Sequence, residues 1–364
     1  ARVTIGTNTS DTETYMSREA IFIHSLWRSG STWLFDRFRR AGDAYWCYQE
    51  PFHEALVQLN GDPDALLGFA DETARSLRHP ALTRPYFWEF HALRDALHGK
   101  FAPCMSYASF FDPSICPGLQ DYVQTLIDAA PTTPVLQCCR SFGRVGYLQE
   151  THGGVHIHLW RDAVSQWFSY QISDYFDIVT LLVLQASNPP KLLLRLRQEI
   201  GLPTIESEDF ATGYEQMHRV PLGWEQRYLV FYALWLYSLM QNHPLCTIDI
   251  NLDRLSEDRE YAETAATVLQ QAGIEGVDLS SARSPVIFLD KSEREKFRRI
   301  EQRVEQLFLE CGVSEEVLQQ AAQQRERHRP RRRPTIAALR RNAQQAREMA
   351  LRYADRLAET NRKF

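Results

Sequence analysis

The stretch Ile21-Phe22-Ile23-His24-Ser25-Leu26-Trp27-Arg28-Ser29-Gly30-Ser31-Thr32-Trp33-Leu34 constrains the fold more than any other part of the chain. It opens as a short apolar run of strand type and breaks into a small polar loop, Arg28 to Thr32. An amphipathic run follows, with Leu34, Phe35 and Phe38 on one face and Gly42 as a stop signal. A strand, a tight loop and a helix in that order build an anion cradle. Backbone N–H groups at the helix start point at the anion, and the helix dipole favours negative charge. The loop is not a Walker A motif: Ser31 follows Gly30, no Lys is present, and Arg28 precedes the glycine instead.

Four more short apolar runs punctuate the next 230 residues: Ala44–Tyr48, Pro134–Cys139, Val155–Trp160 and Cys246–Asn251. Helical patterns separate them. They are expected from Ala163, through an apolar-rich insertion to Glu199, over Trp224–Gln241, and over Asp258–Ala272 with Gly273 as its stop. Such alternation predicts an α/β fold, a central parallel sheet of about five strands flanked by helices. Ligands of such sheets bind beyond the carboxyl ends of the strands. Arg28, Glu50, Arg140 and Arg161 all follow strand ends, so they are expected to face one crevice. Residues 202–220 read as a loop, residues 1–17 as a polar lead-in, and 54–130 as mixed, mostly helical chain.

Charge divides the 364 residues unequally. From Arg325 to Phe364 there are thirteen Lys and Arg against four Asp and Glu, a balance of +9, which leaves −14 for the other 324 residues. That is a basic tail, not the basic surface of a nucleic-acid binder. The expected organisation is an α/β domain over 1–324, then a basic linker and C-terminal helix over 325–364. In that helix Ile336, Leu339, Ala343, Ala346, Met349 or Ala350, Tyr353 and Leu357 form a stripe. It suits packing on its own domain, or a homodimer contact. The longest apolar runs, Ile178–Leu184 and Tyr228–Met240, are shorter than the ~20 residues that span a bilayer. The seven cysteines are odd in number, scattered and without a Cys-x-x-Cys pair. Neither a disulfide framework nor a zinc site is expected, and a reducing, cytoplasmic setting fits best.

A second anion anchor lies in Ile157-His158-Leu159-Trp160-Arg161-Asp162-Ala163-Val164-Ser165-Gln166-Trp167-Phe168-Ser169. Arg161 at a strand end and Ser169 eight residues on, two helical turns later, can address one phosphate. Together with Arg-Ser-Gly-Ser-Thr-Trp-Leu, this resembles the sulfotransferases that use 3′-phosphoadenosine 5′-phosphosulfate (PAPS) as donor. The resemblance runs from about residue 20 to about 290. Its third element is Asp249-Ile250-Asn251-Leu252-Asp253-Arg254-Leu255, similar to the family's late strand and turn. Ala163 departs from the usual Pro, and Arg28 in place of Lys is closer to the carbohydrate and tyrosyl-protein branches than to the cytosolic small-phenol branch.

The resemblance implies a P-loop-like sulfotransferase fold and no metal. Arg28, Ser29, Gly30, Ser31, Thr32 and Trp33 would bind the 5′-phosphosulfate end, with Trp33 against the adenine, and Arg161 and Ser169 the 3′-phosphate. Glu50, 22 residues after Arg28 and flanked by Pro51 and Phe52, is the expected general base, with His53 the second choice. Arg28 would also stabilise charge on the leaving group, and Arg140 is a candidate substrate contact. The acceptor would be a small molecule or glycan hydroxyl, first of all a carbohydrate or glycolipid. The competing readings are a nucleotide-dependent kinase and a non-catalytic assembly protein acting through its basic C-terminal helix. His156 and His158 share a strand face and are expected to pack, not to ligate.

Overall fold

A computed structural model describes residues 19–68, 82–205, 209–329 and 335–362. The expected lead-in over 1–17 and the Pro330–Pro334 part of the basic linker lie outside these residues. The five expected strands form one sheet: β1 (Ile21–Ser25), β2 (Tyr45–Gln49), β3 (Thr133–Cys138), β4 (Val155–Trp160) and β5 (Ile248–Asn251). All pairings are parallel, in the order β2-β3-β1-β4-β5. In register, His24 lies beside Cys138 on one side and His158 on the other.

Alternation along β1 divides the core. Ile21 and Ile23 pack with Leu34, Phe35 and Phe38 of the Ser31–Arg40 helix and with Ala265 and Leu269 of the Arg259–Gln271 helix. Ala20 and Phe22 point the other way, toward Leu119, Tyr122 and Leu126 of the Leu119–Ala129 helix. Both faces are therefore covered, which is why these strands read as continuous apolar runs. A third cluster surrounds the Trp224–Leu245 helix, whose Tyr228, Phe231, Tyr232 and Trp235 are all buried. This helix runs past the expected Gln241 and carries Pro244 in its last turn. Trp224 packs on Phe297, their ring centroids 5.4 Å apart.

The chain leaves β1 toward β2 on one side of the sheet and leaves β4 toward β5 on the other. The strand order thus reverses between β1 and β4, and a crevice opens beyond their carboxyl ends. Arg28 and Arg161 flank that point.

Two expectations need correction. Residues 202–220 are not all loop, because Phe210–His218 is helical, with the Asp209 carboxylate accepting from the Thr212 N–H at 2.8 Å. Reduced thiols were expected throughout, yet Cys104 and Cys116 form a disulfide; the short 3₁₀ turns around them bring two cysteines 12 residues apart into contact.

The C-terminal segment is the helix Ile336–Arg362. Asn342, Ala346, Met349 and Tyr353 are its buried stripe. The Tyr353 hydroxyl donates to Asp177, and the Arg227 guanidinium sits 5.5 Å from the Tyr353 ring centre. Asn342 donates to the Phe288 carbonyl at 3.4 Å. The helix thus packs on its own chain, while Ile336 at its start is exposed. No helix among the described residues is long and apolar enough to cross a membrane.

Candidate active site

The crevice at the β1–β4 switch point is a cleft of about 1310 Å³. Single-ligand pockets run to about 300–1,000 Å³, so this one has room for two molecules side by side. Arg28, Gly30, Ser31, Thr32, Trp33, Glu50, His53, Arg161 and Ser169 all line it. Ser29 and Arg140 do not.

The loop after β1 is shaped by two left-handed residues, Arg28 at φ 65° and Gly30 at φ 96°. Ser29 is fully buried, and its hydroxyl donates to the Leu26 carbonyl at 2.8 Å. That bond ties the loop back on itself, so the Ser29 side chain is structural. Gly30 is the N-cap of the Ser31–Arg40 helix; no side chain caps it, and its first turn carries no acid. The Leu34 N–H makes the first helical bond, to the Gly30 carbonyl. The positive end of this helix therefore faces the cleft without a competing carboxylate. The Thr32 hydroxyl accepts from Gln49 at 3.2 Å, and the Trp33 indole N–H donates to Ser281 at 3.2 Å.

Arg28 Nε donates to Ser169 Oγ at 3.1 Å, and its guanidinium lies 5.3 Å from the Phe176 ring centre. The two anion motifs, 141 residues apart at this contact, are therefore joined by a hydrogen bond. Ser169 comes from the Ala163–Tyr170 helix, capped by Asp162. Arg161 precedes that helix; its Nη2 donates to the Pro285 carbonyl at 2.8 Å, and its Nε is 3.6 Å from Asp253. Burial raises the Asp253 pKa against the opposing pull of Arg161.

Glu50 ends β2 in a left-handed conformation, φ 48°. Its N–H donates to the Gln137 carbonyl and its carbonyl accepts from the His53 N–H, which closes a tight turn. One carboxylate oxygen accepts from the Tyr86 hydroxyl at 2.9 Å, and the other pairs with Arg140. Each carboxylate oxygen has two acceptor positions, so Glu50 keeps capacity for a further hydroxyl donor from the cleft.

Arg140, 1% exposed, lies behind Glu50. It also pairs with Glu54 at 2.8 Å, donates to Tyr107 at 3.2 Å and to Tyr175 at 2.5 Å. Its guanidinium is occupied by these protein contacts, and Arg140 is not among the residues that line the cleft.

His53 Nδ1 accepts the Ala55 N–H at 3.1 Å, which assigns the proton of the neutral ring to Nε2, 3.5 Å from the Tyr175 hydroxyl. Burial holds the His53 pKa below its ordinary value, with Glu54 opposing and Arg140 reinforcing the shift. At neutral pH the ring therefore presents a donor at Nε2, while Nδ1, the nitrogen free to act as a base, is occupied by the Ala55 N–H. Cys139 also lines the cleft; burial, and then the Glu50 charge, push its thiol up to about 12, so it remains protonated.

Sequence reasoning missed several wall residues. Tyr86 and Tyr175 hold Glu50 and Glu54. Arg283, in the stretch after the Arg259–Gln271 helix, bonds to the Ser280 and Ala282 carbonyls. Gln345, Glu348, Met349, Leu351, Arg352 and Asp355 come from the C-terminal helix. Only the helical period of the last segment offered a signal, and it marked the buried stripe, not the cleft-facing one.

His156 and His158 are outside the cleft. His156 Nδ1 is 2.8 Å from His24 Nε2, and His158 Nδ1 is 2.8 Å from Asp249. Both are buried within the sheet. Among the described residues no group of three or more His, Cys, Asp or Glu is arranged to hold a metal ion.

Comparison with known proteins adds no assignment: no family model matches the chain, and no curated protein matches it.

Proposed function

We propose that the chain is a sulfotransferase that moves the sulfuryl group of PAPS to an acceptor hydroxyl. The observation that carries this is the Arg28–Ser169 hydrogen bond at the mouth of an uncapped helix. It joins the loop suited to a 5′-phosphosulfate to the Arg161–Ser169 pair suited to a 3′-phosphate, in one cleft large enough for donor and acceptor.

Sulfuryl transfer asks of a protein much what phosphoryl transfer does: in-line positioning, and stabilisation of charge on the leaving oxygen. The acceptor oxygen forms a bond to sulfur as the bond from sulfur to the 5′-phosphate oxygen breaks. Adenosine 3′,5′-bisphosphate leaves. Arg28 and the N–H groups at the start of the Ser31–Arg40 helix take up the charge that builds on it. Glu50, aimed by Arg140 and Tyr86, receives the acceptor proton. His53 Nε2–H supplies a donor beside the reacting group.

Calorimetric titration decides between this reading and a kinase. Adenosine 3′,5′-bisphosphate is expected to bind at least tenfold more tightly than adenosine 5′-monophosphate, because Arg161 and Ser169 require the second phosphate. No binding at millimolar bisphosphate to folded protein overturns the proposal. Tighter binding of ATP with Mg²⁺ than of the bisphosphate replaces it with phosphoryl transfer.

A further inference from the structure

The C-terminal helix bears two stripes. Asn342, Ala346, Met349 and Tyr353 face the body of the protein and are buried. Gln345, Glu348, Arg352 and Asp355, spaced i, i+3, i+7 and i+10, face the cleft. The buried stripe, locked by the Tyr353–Asp177 hydrogen bond, sets the rotation of the helix. That rotation turns the polar row to the mouth of the cleft, where all four residues stay exposed. Arg352 is further tied across the gap, donating to the Gln171 carbonyl at 3.2 Å.

The charges of the cleft are divided. Arg28, Arg161 and Arg283 all lie along the stretch assigned to the donor. The helix row carries two acids, Glu348 and Asp355, against one Arg, while Glu50 in the same cleft is already paired with Arg140. A second anion placed there would meet a net negative wall. The row spans about 15 Å, at 1.5 Å per residue. Its carboxylates, amide and guanidinium are planar groups that pair with neighbouring hydroxyls two at a time. Tyr86, Phe87, Tyr175 and Phe176 add aromatic surface to the wall of the same cleft, apolar area that suits the C–H groups of a sugar ring.

From this we infer that the C-terminal helix is the acceptor-recognition wall, and that the acceptor it selects is an uncharged, hydroxyl-rich molecule longer than one ring, a neutral oligosaccharide in chemical class. The inference rests on the sulfuryl-transfer reading. Gln345, Glu348, Arg352 and Asp355 are specificity residues; none takes part in the chemical step.

The test uses the full chain with labelled PAPS and four acceptors: a neutral disaccharide, a neutral trisaccharide, a uronate-containing disaccharide and 4-nitrophenol. Transfer is expected to the neutral sugars, with the trisaccharide having the lower KM. In Glu348→Ala and Arg352→Ala, both at exposed positions that do not endanger folding, KM for the neutral sugar is expected to rise at least tenfold. The kcat should stay within about twofold and the Kd for adenosine 3′,5′-bisphosphate should be unchanged. Bisphosphate binding without transfer to either neutral sugar overturns the inference alone. So does a preference for the uronate or the phenol, or a KM that stays within twofold in both variants. Failure of the bisphosphate to bind overturns the sulfuryl-transfer reading, and the inference with it.

Discussion

Arg140→Met isolates what the buried cation contributes. Methionine keeps most of the side-chain volume and opens little cavity, so the change is mainly one of charge. Arg140 is 1% exposed and serves two carboxylates, Glu50 and Glu54. Removing one partner of a buried ion pair costs about 3–5 kcal/mol, because the remaining charge is left without compensation. The loss must also depend on pH. Burial alone would raise the Glu54 pKa, but Arg140, then His53 and the Tyr175 hydroxyl, outweigh it and hold the pKa below its ordinary value. A carboxylate depressed in this way stabilises the fold above its unfolded pKa of about 4.3 and loses that contribution as pH falls through the folded value. Without Arg140 the effect of burial prevails, and the sign reverses: Glu54 then opposes folding as pH rises above about 4.3. The gap between wild type and variant should therefore widen from pH 4.5 to pH 7.5. Urea unfolding followed by circular dichroism at both pH values measures it. Adding Glu54→Gln to the Arg140→Met variant should recover about 1–3 kcal/mol at the higher pH, by removing one stranded charge. A loss under 1 kcal/mol at pH 7.5, or one that does not grow with pH, would refute the account of this network.

Glu50→Gln should abolish measurable transfer while leaving the Kd for adenosine 3′,5′-bisphosphate within about twofold; near wild-type turnover would move the proton elsewhere. Arg28→Ala should weaken that ligand about 10- to 100-fold, the worth of hydrogen bonds to a charged group, as read by calorimetry. Gly30→Ala should lower stability by about 1–3 kcal/mol in urea unfolding, because φ is 96° and the added Cβ would come 2.4 Å from a Leu252 methyl. Cys104→Ser should cost about 2–4 kcal/mol through loss of the Cys104–Cys116 link, seen as a lower Tm, and dithiothreitol should then lower the Tm of wild type but not of the variant.

The sheet was legible because each strand is buried on both faces and ends in a polar loop. Every expected strand lies within two residues of its place. Phe210–His218 was not legible: Thr212 and Gly213 are weak helix formers, and Gly213 and Met217 are its buried residues, too few for a periodic signal. The N-cap Asp209 was the clue. Arg28, Arg161 and Ser169 could be expected in one cleft because local spacing places them just beyond strand ends and on one helix. Arg140 is at the expected strand end, but its partners were not legible, since Glu54, Tyr107 and Tyr175 come from three separate segments. The cleft face of the C-terminal helix was hidden for a related reason. A helical stripe in sequence shows which side is apolar, but not what the next stripe round will meet. The body of the protein also extends past the expected boundary at 324. Arg325 pairs with Glu301 and donates to Tyr232, so a truncation that spares the main domain should begin at residue 335 and not at 325.

Among the described residues, the non-glycine positions with positive φ are Arg28, Glu50 and Asn188. Two of the three are the cation and the carboxylate assigned to the reaction. Left-handed backbone at such residues costs about 1–3 kcal/mol and persists only where surrounding contacts over-determine it. Those contacts are visible: the Ser29 hydroxyl on the Leu26 carbonyl beside Arg28, and the Glu50 N–H on the Gln137 carbonyl with Tyr122 bonded to the Pro51 carbonyl beside Glu50. In an extended strand successive side chains stand on opposite faces of the sheet. At Arg28 and Glu50 the left-handed residue breaks that alternation, and both side chains line the cleft beyond the strand ends. Glycine at either position would relieve the backbone and should raise the stability of the loop, yet remove the group that the turn exists to present. That combination, local strain held in place around two complementary charges that line one cleft, is the physical basis for proposing the chemistry here and not in the His158–Asp249 network between β4 and β5.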